Sequence, residues 1–142
     1  MSREAILAAI PHRPPMLLVD EIVEQTADSI VCEKTFHPDE FFVQGHYPDQ
    51  PIVPGVILCE SAMQAGAVLL AGLVQEGDGV PVATRLQDVK FKKIVQPGDT
   101  IRLEVKLNEQ LANAFFMSAK VMLDGKLSAR LEFACTLAAR EG

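Results

Sequence analysis

At 142 residues the chain is long enough for one substantial core and short for two, and 49% hydrophobic against 23% charged residues is the balance of a packed globular domain. A formal net charge of −6 argues against a general nucleic-acid binder, because neutralising phosphates needs a surplus of Lys and Arg on the contact face. Cys32, Cys59 and Cys135 are odd in number and form no CxxC pair, so neither a disulfide framework nor a zinc site is expected.

The amino terminus, MSREAILAAIPHR, lacks the apolar core and cleavage site of a secretory signal. Residues 3–10 have helix-forming composition and stop at Pro11, which predicts a short terminal helix. MLLVDEIVEQ (16–25) and SIVCEKTF (29–36) read as two strands joined by the turn-like TADS. Residues 37–54 carry Pro38, Pro48, Pro51 and Pro54 together with Phe41, Phe42 and Tyr47, the composition of an ordered loop with little regular structure. From Gly55 to about Gln75 alanine, leucine and methionine run on without a proline, and EGDG follows as a stop, so one long helix is expected. Its faces are nearly all apolar, which predicts that the rest of the chain encloses it. Glu60, Ser61 and Gln64 interrupt the best candidate for the ~20 apolar residues of a membrane span, so the default expectation is a cytoplasmic protein.

Beyond the helix come VPVATRLQDVKFKKIV, DTIRLEVKLNEQL, AFFMSAKVML and KLSARLEFACTLAA, punctuated by PGD, AN and DG. Ile101, Leu103, Val105 and Leu107, like Leu127, Ala129, Leu131 and Phe133, alternate with polar neighbours as antiparallel meander strands do. The sum is an α+β fold: a curved antiparallel sheet of about five to six strands wrapped around a long central helix, in a single domain over residues 1–142.

Chemistry is asked for by GHYPDQPIVPGVILCESAMQ, residues 45–64, which sets an acid in a very apolar run. Glu60 and Gln64, four apart, share a helix face. On an enclosed helix the carboxyl would be desolvated, which favours its protonated form and suits a general acid; taken alone, the residues fit better an ion pair with an arginine or a polar seam at a dimer contact. His46 lies fourteen residues before Glu60 in the proline-rich loop. An imidazole accepts a proton in the physiological range without special tuning, although a lone loop histidine is as readily a hydrogen-bonder. His12 and His37 have no comparable spacing, and Cys59 falls on a different helix face from Glu60. Gly55 opens the helix after Pro54, where first-turn amides have no internal partner and lack of a side chain permits close approach; the plainer role is to permit the turn. Base, acid and oxyanion donor together are the groups for abstracting a proton beside a carbonyl with loss of a β-hydroxyl. No metal-ligand spacing is present, and no cofactor is expected.

IPHRPPMLLVD (10–20), FHPDEFFVQGHYPDQPIVPGVILCESAMQAG (36–66) and VKFKKIVQPGD (89–99) resemble, in order, three signature blocks of the FabZ family of (3R)-hydroxyacyl-[acyl-carrier-protein] dehydratases. The resemblance implies a hot-dog fold and conversion of (3R)-hydroxyacyl- to trans-2-enoyl-[acyl-carrier-protein] in type II fatty acid biosynthesis. It implies that His46 acts at the α-carbon, that Glu60 handles the β-hydroxyl, and that the Gly55 amide polarises the thioester carbonyl. Gln64 would support the acid by hydrogen bonding, and Tyr47, Pro54 and Val56 would line the substrate site. The two catalytic side chains would come from different subunits of a homodimer, itself one third of a trimer of dimers. Against the family pattern, Pro14 replaces an aromatic residue, Tyr47 a phenylalanine, Ser61 an alanine, and Glu21 stands where a basic residue is common.

The carrier protein such an enzyme receives is strongly acidic, so a chain of net charge −6 needs a local cationic rim. Lys90, Lys92 and Lys93, flanked by Arg85 and Arg102, supply one, unless they are solvated strand edges protected by lysine. A hot-dog acyl thioesterase and a non-catalytic acyl-binding hot-dog module are the alternative readings; the pairing of His46 with Glu60 favours elimination over both.

Overall fold

A computed structural model of the chain describes residues 2–47, 49–74 and 79–138. Eight elements follow one another: α1 (Ser2–Ala9), β1 (Glu21–Gln25), β2 (Ser29–Thr35), α2 (Gly55–Ala71), β3 (Val80–Phe91), β4 (Thr100–Leu111), β5 (Ala114–Leu123) and β6 (Lys126–Ala138). The six strands form one antiparallel sheet in the order β1-β2-β4-β5-β6-β3, and α2 packs against its inner face, touching β2 through β6. Alternation does the work predicted for it: Ile101, Leu103 and Val105 on β4 and Ala129, Leu131 and Phe133 on β6 are buried under the helix, joined by Phe36, Phe115, Met117, Leu69 and Leu70. The hairpin from β5 to β6 turns on Asp124 and Gly125, both at positive φ (52° and 78°), the conformation that suits the strands' right-handed twist.

Three expectations need correction. Residues 16–20 are no strand. Side chains of α2 hold them instead: Gln64 Oε1 accepts from the Leu18 amide at 2.7 Å, Gln64 Nε2 donates to the Met16 carbonyl at 2.8 Å, and Ser61 Oγ donates to the Leu18 carbonyl at 2.6 Å. Ladder pairing resumes when the Asp20 amide reaches the Glu33 carbonyl. Second, α2 ends at Ala71, where Gly72 and Leu73 donate three residues back, to the Leu69 and Leu70 carbonyls, and tighten the chain out of the α-helical pattern. Gln75 and residues 76–78 of the expected EGDG stop lie outside the described residues, as does Pro48. Third, α2 is not enclosed on every side. Val56, Glu60, Met63, Ala67 and Ala71, spaced by three or four, stay at least partly accessible, with Val56 72% exposed.

The loop before α2 is ordered by a buried cation. Lys34, on β2, is 5% exposed at its side chain, with Nζ 2.9 Å from Glu40 Oε1 and 3.8 Å from Asp20 Oδ1. Glu40 accepts from the His37 amide through its other oxygen, and the rings of Phe36, Phe42 and Phe41 meet edge to face beneath. The far end is tied by the Val53 amide, which donates to the Val95 carbonyl at 2.8 Å. The segment carrying His46 is pinned at both ends.

Candidate active site

His46 sits between two residues at positive φ, Gly45 (81°) and Tyr47 (52°), so the backbone reverses sharply around it. Its Nδ1 is 3.0 Å from the Ile52 carbonyl. A carbonyl only accepts, so Nδ1 carries the hydrogen and Nε2 keeps its lone pair, the tautomer a base needs. The Tyr47 ring packs edge-on at 4.8 Å, which further fixes the imidazole plane, while Tyr47 itself is exposed.

Pro54 caps α2 without a side-chain hydrogen bond, and its carbonyl receives the amides of Ile57 and Leu58. The Gly55 and Val56 amides, just before them in the same first turn, have no backbone acceptor among the described residues. They point out of the positive end of the helix. Gly55 does not have a positive φ, so the turn into α2 does not require glycine. It lets Phe91 pack close: a Cβ built there would stand 2.8 Å from the half-exposed ring of Phe91 at the end of β3, which would have to shift.

Glu60, one turn further along, is 31% exposed at its side chain in the single chain, less desolvated than an enclosed helix implied. Gln64 Nε2 donates to its Oε2 at 2.8 Å, as the resemblance implied. Sequence reasoning missed a third member: His12 Nε2 stands 3.8 Å from the same Oε2. No spacing rule links residues 12 and 60, because the docking of segment 16–20 on α2 is what brings them together. Ser61, a departure from the family pattern, strengthens that docking through its bond to Leu18.

Among the described residues no hydrogen bond or ion pair joins His46 to Glu60 within one chain. Lys90 and Arg102 line a trough on the outer face of the sheet with Asp88, Glu104 and Glu132, and Arg102 Nε lies 3.1 Å from Glu104 Oε2. Lys92 and Lys93 follow β3 next to Phe91, their amides bonded to the Ser128 carbonyl, and Arg85 is exposed mid-strand. No group of three or more metal-ligating side chains occurs among the described residues, and no helix is long and apolar enough to cross a membrane.

Residues 10–132 match the family model of the FabA-like domain. The chain is 40% identical over 135 residues to the 3-hydroxyacyl-[acyl-carrier-protein] dehydratase FabZ of Syntrophobacter fumaroxidans, covering 94% of this chain and 92% of that one. It is 39% identical to the FabZ of Clostridium perfringens, with 90% and 92% covered. Among solved structures it resembles the dehydratase heterocomplex ApeI:P from Xenorhabdus doucetiae, with a TM-score of 0.82 at 14% identity over 95% of this chain and 91% of that one. The E. coli PaaI protein of the phenylacetic acid degradation operon follows at a TM-score of 0.71 and 16% identity, with 94% and 93% covered. The two structural likenesses bear on the fold alone.

Proposed function

The chain belongs to the FabZ family, and from that premise we propose that it eliminates water from (3R)-hydroxyacyl-[acyl-carrier-protein] to give the trans-2-enoyl thioester, in type II fatty acid biosynthesis. The observation that carries the reading is the proton inventory of the two side chains: among the described residues nothing engages Nε2 of His46, whose Nδ1 faces the Ile52 carbonyl, or Oε1 of Glu60. Nε2 takes the proton from the α-carbon, and the charge that builds on the thioester oxygen is met by the Gly55 amide at the head of α2. The electron pair forms the C2–C3 double bond as the β C–O bond breaks, and Glu60 gives its proton to the departing hydroxyl, which leaves as water. The cycle ends with His46 protonated and Glu60 ionised, and exchange with solvent restores both.

Within one chain no hydrogen bond or ion pair links the two groups among the described residues, and the reading completes the site with a second copy, His46 of one protomer facing Glu60 of its partner. The open line of α2, from Val56 to Ala71, and the exposed apolar side chains of β3 support this homodimer, and the family resemblance extends it to a trimer of dimers. Pro54 and Val56 stand at the head of α2 and, with Tyr47 beside His46, would contact the acyl-phosphopantetheine arm. Lys92 and Lys93, beside Phe91, are the best placed of the basic residues to meet an acidic carrier protein.

The test is turnover in both directions: water loss from 3-hydroxyacyl carrier protein, and hydration of crotonyl or longer enoyl thioesters. His46→Ala should abolish both. Activity surviving in that variant, or release of free thiol from acyl-CoA in place of elimination, would overturn the reading.

A further inference from the structure

We propose that His12 is a positioning residue which, with Gln64, decides which oxygen of Glu60 carries the acid proton. The inference rests on the reading of Glu60 as the general acid and adds the device that orients it.

The amide of Gln64 has only one possible orientation. Its Oε1 is 2.7 Å from the Leu18 amide, which can only donate, and its Nε2 is 2.8 Å from the Met16 carbonyl, which can only accept. The second hydrogen on Nε2 is therefore the one that reaches Glu60 Oε2 at 2.8 Å. His12 approaches the same oxygen from the other side, Nε2 to Oε2 at 3.8 Å. Its Nδ1 is buried and has no hydrogen-bond partner among the described residues. Nδ1 is unsatisfied with or without a hydrogen, whereas a hydrogen on Nε2 is drawn to the Glu60 oxygen 3.8 Å away and a lone pair there would be repelled by it, so the imidazole carries its hydrogen on Nε2 and turns an N–H towards Glu60.

Two donors thus converge on Oε2. At 3.8 Å the His12 contact is electrostatic rather than a formed hydrogen bond, but it carries the same sign as that of Gln64. An O–H at Oε2 would compete with both, whereas Oε1 is engaged by no group among the described residues. The acid proton is held on Oε1, the oxygen left for substrate. The sealed Nδ1 also excludes His12 as a proton relay, because a relay must take a proton at one nitrogen and release it at the other. Arg13 sets the position of His12 by donating to the carbonyls of Leu7, Ile10 and His12 at 2.7–2.9 Å.

Two measurements test this. Nitrogen-15 NMR of the imidazoles in the intact protein should show His12 as the neutral Nε2–H tautomer at the assay pH; the Nδ1–H tautomer or an imidazolium would overturn the assignment. In kinetics, His12→Asn stops its amide near the Nδ1 position, while His12→Gln reaches the Nε2 position. His12→Asn should lower kcat about 10- to 100-fold with KM nearly unchanged, the scale of a misplaced catalytic group. His12→Gln should recover most of that loss. Wild-type kcat in His12→Asn, or equal impairment in two folded variants, would overturn the proposal. If Glu60→Ala retained full turnover, the acid reading itself would fall, whereas the tautomer measurement does not depend on activity.

Discussion

Burial pushes the thiol of Cys32 up to about 12 and that of Cys135 to about 11, from an ordinary 9.0, and moves Cys59 upward for the same reason. None of the three is poised as a nucleophile, which agrees with assigning Cys59 no catalytic role beside Glu60. The shifts also fix a sign for stability. Below pH 9 both folded and unfolded thiols are protonated and the native state loses nothing. Above it the unfolded chain releases protons that the folded chain holds until about pH 11 to 12, so stability falls through that window. Denaturant midpoints measured from pH 8 to 11 should decline, and Cys32→Ala, although less stable at pH 8, should decline less steeply. A parallel decline in the variant would mean that this thiol does not contribute.

At the level of elements, α2 approaches the sheet closely enough to require Gly66. A Cβ there would stand 2.8 Å from Cζ of Phe133 and 3.3 Å from Sδ of Met117, both buried and unable to swing aside. Alanine is the better helix former by up to ~1 kcal/mol, yet overpacking typically costs about 1–3 kcal/mol, so Gly66→Ala should be net destabilising. Urea denaturation decides the sign, and the double variant Gly66→Ala, Phe133→Leu should regain part of the loss. The same closeness explains what the sequence made legible. Strands β4, β5 and β6 alternate because one face meets α2 and the other meets water, so a period of two is written directly into the residues. Segment 16–20 carries an equally strand-like run, MLLVD, but its Leu18 amide and its Met16 and Leu18 carbonyls are bonded by the side chains of Ser61 and Gln64, partners no local pattern announces. His12 was unreadable for that reason: its relation to Glu60 exists only once that segment is docked. His46, Glu60 and Gly55 could be singled out because their residue types and spacing match the family's signature, and the roles proposed for them rest on that resemblance.

On the scale of the whole molecule, the sheet ends on one side at β3, a 12-residue strand hydrogen-bonded to β6 along only one edge. Among the described residues no strand pairs with its other edge, and Val82, Leu86 and Phe91 are 42%, 47% and 54% exposed. Long apolar edges are usually shielded by charge, bulges or a partner. Here the bulges between Ala83 and Arg85 and between Gln87 and Lys90 interrupt the pairing to β6 without covering the apolar side chains. Val56 and Phe91 lie at the same end of the molecule, next to Gly55, so the exposed edge and the open line of α2 converge on the head of the helix. A second copy seated there would cover both at once and bring a second His46 towards a first Glu60. Light scattering at micromolar concentration should therefore give at least twice the mass of one chain, and Leu86→Glu, which sets a charge into that apolar row, should shift the mass towards the monomer. If the acid and the base come from different protomers, as proposed, dehydratase activity should fall in step with the dimer fraction. A folded Leu86→Glu monomer retaining full turnover would show that one chain suffices, and the shared site would have to be abandoned.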